Sequence, residues 1–203
     1  SGADITVVQG VNNKNINIDH QVISNASCTT NCLAPVAFVI DQEFGIESGY
    51  MTTIHSYTGD QNTVDTFHKD LRRARAAASN IIPTSTGAAK AVGLVLPHLM
   101  GKLDGTAIRV PTPNVSLVDF KFNTKKNITT ENLNNKFQEY ANSSLKGILG
   151  VDTDPKVSSD YNHDARSSIL DLSETTTVSD NFGRVLTWYD NEWGFSNRML
   201  ETT

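Results

Sequence analysis

The chain lacks several features that would assign it to a specialised class of protein. It has no run of about 18 apolar residues, which argues against a membrane-spanning helix. Two cysteines in 203 residues are too few for a disulfide framework and indicate free thiols in a reducing compartment such as the cytoplasm. The pattern G-x-G-x-x-G is absent, so the usual turn that binds a dinucleotide pyrophosphate is missing.

Charge and composition exclude further classes. A net charge of -5 argues against a general nucleic-acid binder, and 38% hydrophobic with 19% charged residues is ordinary for a globular chain. Two cysteines and five scattered histidines form no pattern of metal ligands, so we expect no metal site. The start, Ser1-Gly2-Ala3-Asp4, has neither Met nor an apolar leader segment. We therefore expect no signal peptide. No repeat or long linker divides residues 1–203, which predicts one domain, and Glu201-Thr202-Thr203 reads as an unfinished helix, so we expect a fragment of a longer protein.

The hydrophobic patterns predict an α+β fold. Several strands follow one another without an intervening helix in the last 40 residues, which favours a mostly antiparallel or mixed sheet over a doubly wound one. Residues 58–83 lack a steady period and predict an ordered loop with one helical turn. The predicted strands are 5–8, 20–24, 50–55, 107–110, 116–122, 168–170, 175–179 and 184–188. The predicted helices are 32–44, 87–99, one capped by Thr130 with Leu133, Phe137 and Tyr140 buried, and a last one that starts at Ser196.

Cys28 is the sharpest candidate for chemistry. It lies where a strand ends and a helix begins, so free backbone N–H groups and the positive end of the helix favour its thiolate and predict a lowered pKa. A small buried thiol is the alternative. Cys32 lies one helical turn deeper, and we interpret it as a packing residue.

A reactive cysteine needs a base, and His55 ranks first among the histidines. It ends a predicted strand just before the long loop, and catalytic groups are commonly displayed at such positions. An ordinary surface histidine is the alternative interpretation, and the sequence alone leaves both open.

Three further segments carry groups that could bind a ligand. Hydroxyls and a glycine in 83–90 precede a helix, which suits an anion but equally suits helix capping. Arg109 lies in an apolar strand and needs an acid, an anionic ligand or a surface position. Asn191 follows a strand in an aromatic-rich turn, where its amide either pairs with a ligand amide or forms a simple turn.

Taken in order, these segments resemble phosphorylating glyceraldehyde-3-phosphate dehydrogenase. The similarity covers nearly the whole chain, and the separation of 27 residues between Cys28 and His55 agrees with the family. Phe195 stands where the family commonly has Tyr; Phe occurs there in some bacterial members and in erythrose-4-phosphate dehydrogenases. Residues 83–90, in contrast, are similar to the glyceraldehyde-3-phosphate enzymes. The segments that carry the resemblance are 27–32, the strand that ends at His55, 84–90, 109–112 and 188–192.

The resemblance implies a catalytic domain with a mostly antiparallel sheet and helices on one face, without the family's N-terminal Rossmann domain and the end of its last helix. It implies oxidation of D-glyceraldehyde 3-phosphate to 1,3-bisphosphoglycerate, with Cys28 as the nucleophile and His55 as the base. NAD is the implied cofactor, with NADP left open. It further implies a homotetramer in which the 58–83 loop lines the core, and no nucleic-acid or membrane partner. The remaining implied roles are Thr58 and Arg109 for the substrate phosphate, Ser27, Thr29, Thr86 and Gly87 for inorganic phosphate, and Asn191 for the nicotinamide carboxamide.

Other functions stay open on the residues alone. Erythrose-4-phosphate dehydrogenase belongs to the same family. Cys28 and His55 would equally serve a cysteine hydrolase or acyltransferase that forms a thioester without oxidation. A third possibility is an assembly module with no catalysis, and we expect the isolated fragment to be inactive because most of the cofactor site lies outside it.

Overall fold

A computed structural model describes residues 2–203 of the chain. Four α-helices and nine strands succeed one another, with four short 3-10 turns between them. The strands are β1 (Ile5–Thr6), β2 (Ile23–Ser24), β3 (Ile46–Ser56), β4 (Ile82–Ser85), β5 (Leu103–Val110), β6 (Ser116–Thr124), β7 (Leu149–Asp152), β8 (Ser168–Ser179) and β9 (Phe182–Tyr189). The helices are α1 (Cys28–Phe44), α2 (Ala88–Val95), α3 (Thr130–Asn142) and α4 (Trp193–Thr202).

Seven strands form one mixed sheet in the order β4-β5-β3-β6-β9-β8-β7. The pairs β3–β5 and β7–β8 are parallel, and the other four neighbouring pairs are antiparallel. Strands β1 and β2 make a separate parallel pair. The α+β class and the mostly antiparallel pairing predicted from the sequence are confirmed.

The core lies between this sheet and the helices packed on it. Strand β6 alternates in the way a strand with one covered face must, since Val118, Phe120 and Phe122 are fully buried and the residues between them are partly exposed. Helix α1 is buried on almost every side because it contacts α2 and α3 as well as the sheet. That position explains why its sequence is apolar beyond a single stripe.

Parallel pairing of β3 and β5 brings two chemistry-bearing residues to the same edge. His55 near the end of β3 is in direct register with Arg109 near the end of β5. The carboxyl ends of β3 and β5 therefore lie at the same end of the sheet. The N-terminus of α1 lies there too, since Cys28 contacts His55.

Several element boundaries differ from the sequence prediction for identifiable reasons. Helix α1 starts at Cys28, where the sequence predicts that a helix begins and four residues before its apolar spacing starts, because Ser27 caps it. Thr129, not Thr130, caps α3, where its hydroxyl and the Asn132 side chain form a capping box. Helix α4 begins at Trp193 because the Asp190 carboxylate accepts the Trp193 N–H at 2.8 Å.

Two edge strands were not predicted. Strand β4 contains Pro83. Proline has no N–H for the hydrogen bonds of a central strand, but an edge strand such as β4 tolerates it. Strand β7 is only four residues long at the opposite edge. Residues predicted as two strands, 168–170 and 175–179, form the single strand β8 with an irregular register between Asp171 and Thr176.

Candidate active site

Cys28 is the first residue of α1. The Ser27 hydroxyl accepts the Thr30 N–H at 3.1 Å and leaves the first backbone N–H groups of the helix facing outward. Cys28 is partly buried, whereas Cys32 is fully buried against the hydroxyls of Ser168 and Thr187. Burial raises the pKa of Cys32 to about 12, so the interpretation of Cys32 as a packing residue is confirmed.

His55 lies beside this cysteine. Its Nε2 is 3.6 Å from Cys28 Sγ, and the ring is buried rather than on the surface. Its Nδ1 is 2.7 Å from the Ser56 carbonyl and 2.8 Å from a guanidinium nitrogen of Arg109. Nδ1 cannot donate to the Ser56 carbonyl and accept from Arg109 at the same time. In the tautomer in which it donates to the carbonyl, the Arg109 N–H groups turn to the Ser56 carbonyl and the Thr58 hydroxyl, and Nε2 is free to accept the thiol proton.

The charges of Cys28 and His55 depend on each other. Burial raises the pKa of the Cys28 thiol, and the hydrogen bonds of Thr29 and the charge of Arg109 oppose that shift without reversing it. Burial, followed by the positive charge of Arg109, lowers the pKa of His55 to about 4. Each group resists ionising alone, but moving one proton from Sγ to Nε2 creates adjacent opposite charges that stabilise each other.

The sequence prediction that the helix end by itself lowers the pKa of Cys28 is therefore wrong. Desolvation outweighs the hydrogen bonds of Thr29 and the charge of Arg109, so the pKa of the Cys28 thiol is raised, and His55 Nε2 is the nearby group that could accept its proton.

Arg109 supplies a positive charge beside this pair. Its guanidinium donates to the Ser56 carbonyl at 2.9 Å and approaches the Thr58 hydroxyl at 3.4 Å. Within residues 2–203 no carboxylate lies in salt-bridge contact with Arg109, and its Nε is buried without an acceptor. The Thr58 hydroxyl donates to Asp60 at 2.5 Å. A guanidinium with unused donors suits an incoming anion.

A shallow cavity of about 360 Å³ is lined by Ser27, Thr86 and Gly87. The Thr86 hydroxyl accepts the Ala88 N–H at 3.2 Å, while the N-cap position of α2 is Gly87, which makes no side-chain cap. The Thr30 hydroxyl donates to the Ala88 carbonyl and holds the N-termini of α1 and α2 together. Two helix N-termini with hydroxyls between them form a setting that favours an anion.

Thr29 is placed differently from the other predicted phosphate ligands. Thr29 is buried, and its hydroxyl lies 2.8 Å from Tyr189 Oη. A larger cavity of about 700 Å³ lies at the β4–β5 edge, and none of the predicted site residues lines it.

Tyr189 is a site residue that the sequence interpretation missed. Its buried phenol bridges the Thr29 and Thr53 hydroxyls at 2.8 and 2.9 Å and packs edge-on against the His55 ring. Burial raises its pKa well above 10, so it stays a neutral hydrogen-bonding group. The available signal was the alternation of β9, which places Tyr189 on the buried face.

Asn191 is buried at the end of β9, and its side chain does not make the turn before α4. That turn is made by Asp190, whose carboxylate accepts the N–H groups of Glu192 and Trp193. Asn191 Oδ1 accepts the Ser56 and Ser116 hydroxyls at 2.8 and 2.9 Å, while its Nδ2 is buried without an acceptor in the described chain. A carboxamide carbonyl would supply the missing acceptor, so the residue fits the nicotinamide end of a cofactor.

Two kinds of feature are absent from residues 2–203. No group of three or more His, Cys, Asp or Glu side chains is placed to hold a metal ion there. None of the helices in that range is long and apolar enough to cross a bilayer.

Comparisons with known proteins agree with this geometry. Residues 27–191 match the family model described as glyceraldehyde 3-phosphate dehydrogenase, C-terminal domain. The chain is 62% identical to glyceraldehyde-3-phosphate dehydrogenase of Xanthobacter flavus and 60% identical to that of Cereibacter sphaeroides, in each case over 99% of its own length. It is 58% identical to a chloroplastic enzyme of that name from Arabidopsis thaliana. The chain spans about 60% of the length of the two bacterial relatives.

Proposed function

Since the chain belongs to the glyceraldehyde 3-phosphate dehydrogenase family, of which it contains the C-terminal domain, we propose that its protein oxidises and phosphorylates D-glyceraldehyde 3-phosphate. The product is 1,3-bisphosphoglycerate, and the reaction belongs to glycolysis. The observation that carries the proposal is the contact of 3.6 Å between Cys28 Sγ and His55 Nε2, beside the Arg109 guanidinium, which has no carboxylate partner within residues 2–203.

The first step joins the enzyme to the aldehyde. Cys28 Sγ gives its proton to His55 Nε2 and attacks the carbonyl carbon, and the carbonyl oxygen takes that proton to give a thiohemiacetal. The Cys28 backbone N–H, free at the start of α1, and His55 stabilise the negative charge on that oxygen.

The second step makes the thioester. A bound nicotinamide, NAD in our proposal, would supply the acceptor for the hydride of the thiohemiacetal carbon, and Asn191 would hold its carboxamide. His55 Nε2 takes the hydroxyl proton as the C=O bond re-forms. The pKa of about 4 keeps the ring neutral at neutral pH, so its lone pair is free, and the ring takes the proton only as a neighbouring negative charge forms on the substrate oxygen or the sulfur.

The third step releases the product. A phosphate oxygen attacks the thioester carbon, the C–S bond breaks, the departing sulfur takes the proton from His55, and the proton of the attacking phosphate is released to solvent. We assign the attacking phosphate to the cavity of Ser27, Thr86 and Gly87, with Thr29 nearby. We assign the phosphate of the substrate to Arg109 and Thr58, whose contact of 3.4 Å supports a shared ligand.

The remaining part of the protein supplies what this chain does not hold. We propose that it contains a Rossmann domain for the adenosine half of the cofactor, and that four copies assemble with residues 58–83 at the core. We also propose a cytoplasmic location, although a chloroplastic relative shows that family members occur elsewhere.

The test is a cofactor-reduction assay on the full-length protein with aldehyde, inorganic phosphate and NAD. We expect reduced cofactor with glyceraldehyde 3-phosphate, its loss in Cys28→Ser, and retention of most activity in Cys32→Ser. A faster reaction with erythrose 4-phosphate would instead assign that aldehyde as the substrate. Product formation without cofactor reduction would instead identify a non-oxidative acyltransferase and contradict the proposal.

A further inference from the structure

Two buried serines hold the amide of Asn191 from one side. The Ser56 and Ser116 hydroxyls lie 2.8 and 2.9 Å from Asn191 Oδ1, and both serines are almost completely buried. Ser56 therefore has two contacts: its carbonyl oxygen lies beside His55 Nδ1, and its hydroxyl donates to Asn191 Oδ1.

Proton accounting fixes the orientation of the amide. The Ser116 oxygen already accepts the Ser56 N–H at 3.0 Å, and each hydroxyl proton has Asn191 Oδ1 as its near acceptor. If the amide were reversed, Nδ2 would donate to both hydroxyl oxygens. The hydroxyl protons would then have only the other serine's oxygen at 3.4 Å, and one of them would remain buried without an acceptor.

We infer that the hydroxyls of Ser56 and Ser116 are positioning groups that present Asn191 as a hydrogen-bond donor only, so that the site recognises a carbonyl oxygen on the pyridine ring of the cofactor. The inference rests on the proposed function, because it concerns the nicotinamide end of the same site. The free group is Nδ2, which is buried and has no acceptor within the described chain. The substituent on the pyridine ring must supply a hydrogen-bond acceptor for Asn191 Nδ2. The amino group of that substituent finds no acceptor on Asn191.

Cofactor analogues separate these two contacts. The 3-acetylpyridine analogue of NAD keeps the carbonyl and replaces the amino group by methyl, whereas the 3-aminopyridine analogue keeps a nitrogen donor and lacks the carbonyl. Calorimetric titration of the full-length protein should give dissociation constants for NAD and the acetyl analogue within about threefold of each other. The amino analogue should bind about tenfold more weakly or worse, as expected when a buried donor stays unpaired.

The serines are tested in the same titration. In the Ser56→Ala, Ser116→Ala double variant the amide can rotate, and the gap between the acetyl and amino analogues should fall below about threefold. Ser168→Ala is the matched control, since Ser168 is a fully buried serine whose hydroxyl contacts Thr187 away from Asn191. Its preference should equal that of the unmodified protein.

A preference of the unmodified protein for the amino analogue would overturn the inference, as would a double variant that keeps the full gap. Both results leave cofactor binding, and hence the proposed function, intact. Failure of all three dinucleotides and of ADP-ribose to bind a folded protein would instead overturn the proposed function and this inference with it.

Discussion

At the scale of single residues, the site depends on two groups that are each hard to ionise alone. Burial raises the pKa of Cys28 and lowers that of His55 to about 4, yet their atoms are 3.6 Å apart. Moving a proton from Sγ to Nε2 leaves neighbouring opposite charges, whose attraction offsets part of the cost of ionising each group alone. Reactivity of the sulfur therefore belongs to the pair rather than to the cysteine.

Replacing the imidazole tests this dependence. In His55→Asn the thiol loses its proton acceptor, so the pH at which iodoacetamide begins to label Cys28 should move upward. Labelling at neutral pH should be about tenfold slower or more, since each unit of pKa changes the thiolate fraction tenfold. The measurement is the pH profile of Cys28 alkylation, mapped by peptide mass spectrometry.

The matched control is Cys32→Ser, which should leave the Cys28 profile unchanged because Cys32 is fully buried. An identical profile in His55→Asn and in the unmodified protein would remove His55 from this role.

The residue types of the site could largely be predicted from the sequence, but their surroundings could not. Cys28, His55 and Arg109 lie together as expected. Tyr189 was missed because a tyrosine at a strand end gives no sign of which hydroxyls it will meet across the sheet. The pKa of Cys28 was predicted in the wrong direction because desolvation depends on tertiary burial, which local sequence does not contain.

At the scale of elements, the parallel pair β3–β5 positions the site. Gly105 of β5 faces Met51 of β3 in register, and a Cβ at Gly105 would lie 2.6 Å from the Met51 carbonyl oxygen. Only glycine permits this approach, and the same strands carry His55 and Arg109 at their ends.

Gly105→Ala should therefore push the two strands apart. We expect the free energy of unfolding to fall by about 2 kcal/mol, as is usual for an overpacked interior position. Gly59→Ala, where nothing lies within 4 Å of the added carbon, should change it by less than about 0.5 kcal/mol. Urea denaturation of the full-length protein measures both, and equal effects of the two substitutions would contradict this account of the strand pair.

Elements with a strong hydrophobic periodicity were predicted well from the sequence, whereas short strands at the edges of the sheet were not. The alternation of β6 and the helical spacing of α1 were recognisable because each has one face on the core. Strands β4 and β7 were invisible because a short edge strand is defined by its neighbour, not by its own pattern. The start of α4 was misplaced because it depends on the Asp190 side chain, whose role in capping becomes visible only in three dimensions.

At the scale of the whole molecule, the site gathers segments that are far apart in the chain. The N-terminus of α1, the ends of β3 and β5, the start of α2 and the end of β9 all reach the same side of the sheet. Burial of His55 therefore depends on tertiary packing, which links the protonation of this one side chain to the stability of the molecule.

That linkage has a defined sign. The pKa of His55 is about 4 in the folded protein, against 6.5 for an unperturbed histidine of the unfolded chain, so the unfolded chain binds the proton first. The contribution of His55 to stability is complete above pH 6.5 and is lost as the pH falls toward 4. The loss of unfolding free energy between pH 7 and about pH 4.5 should be smaller in His55→Asn by about 2 kcal/mol. Denaturation at both pH values measures it, and an equal loss in the two proteins would contradict a buried neutral His55.

The most direct measurement of the central claim, that the oxidised substrate is carried on Cys28, is mass spectrometry of the full-length protein after one turnover. The protein is mixed with glyceraldehyde 3-phosphate and NAD without inorganic phosphate and then digested at acidic pH. We predict the mass of a phosphoglyceryl thioester on the peptide that contains Cys28, and its disappearance when phosphate is added before quenching. An unmodified Cys28 peptide alongside reduced cofactor, or the same mass on another residue, would contradict the account.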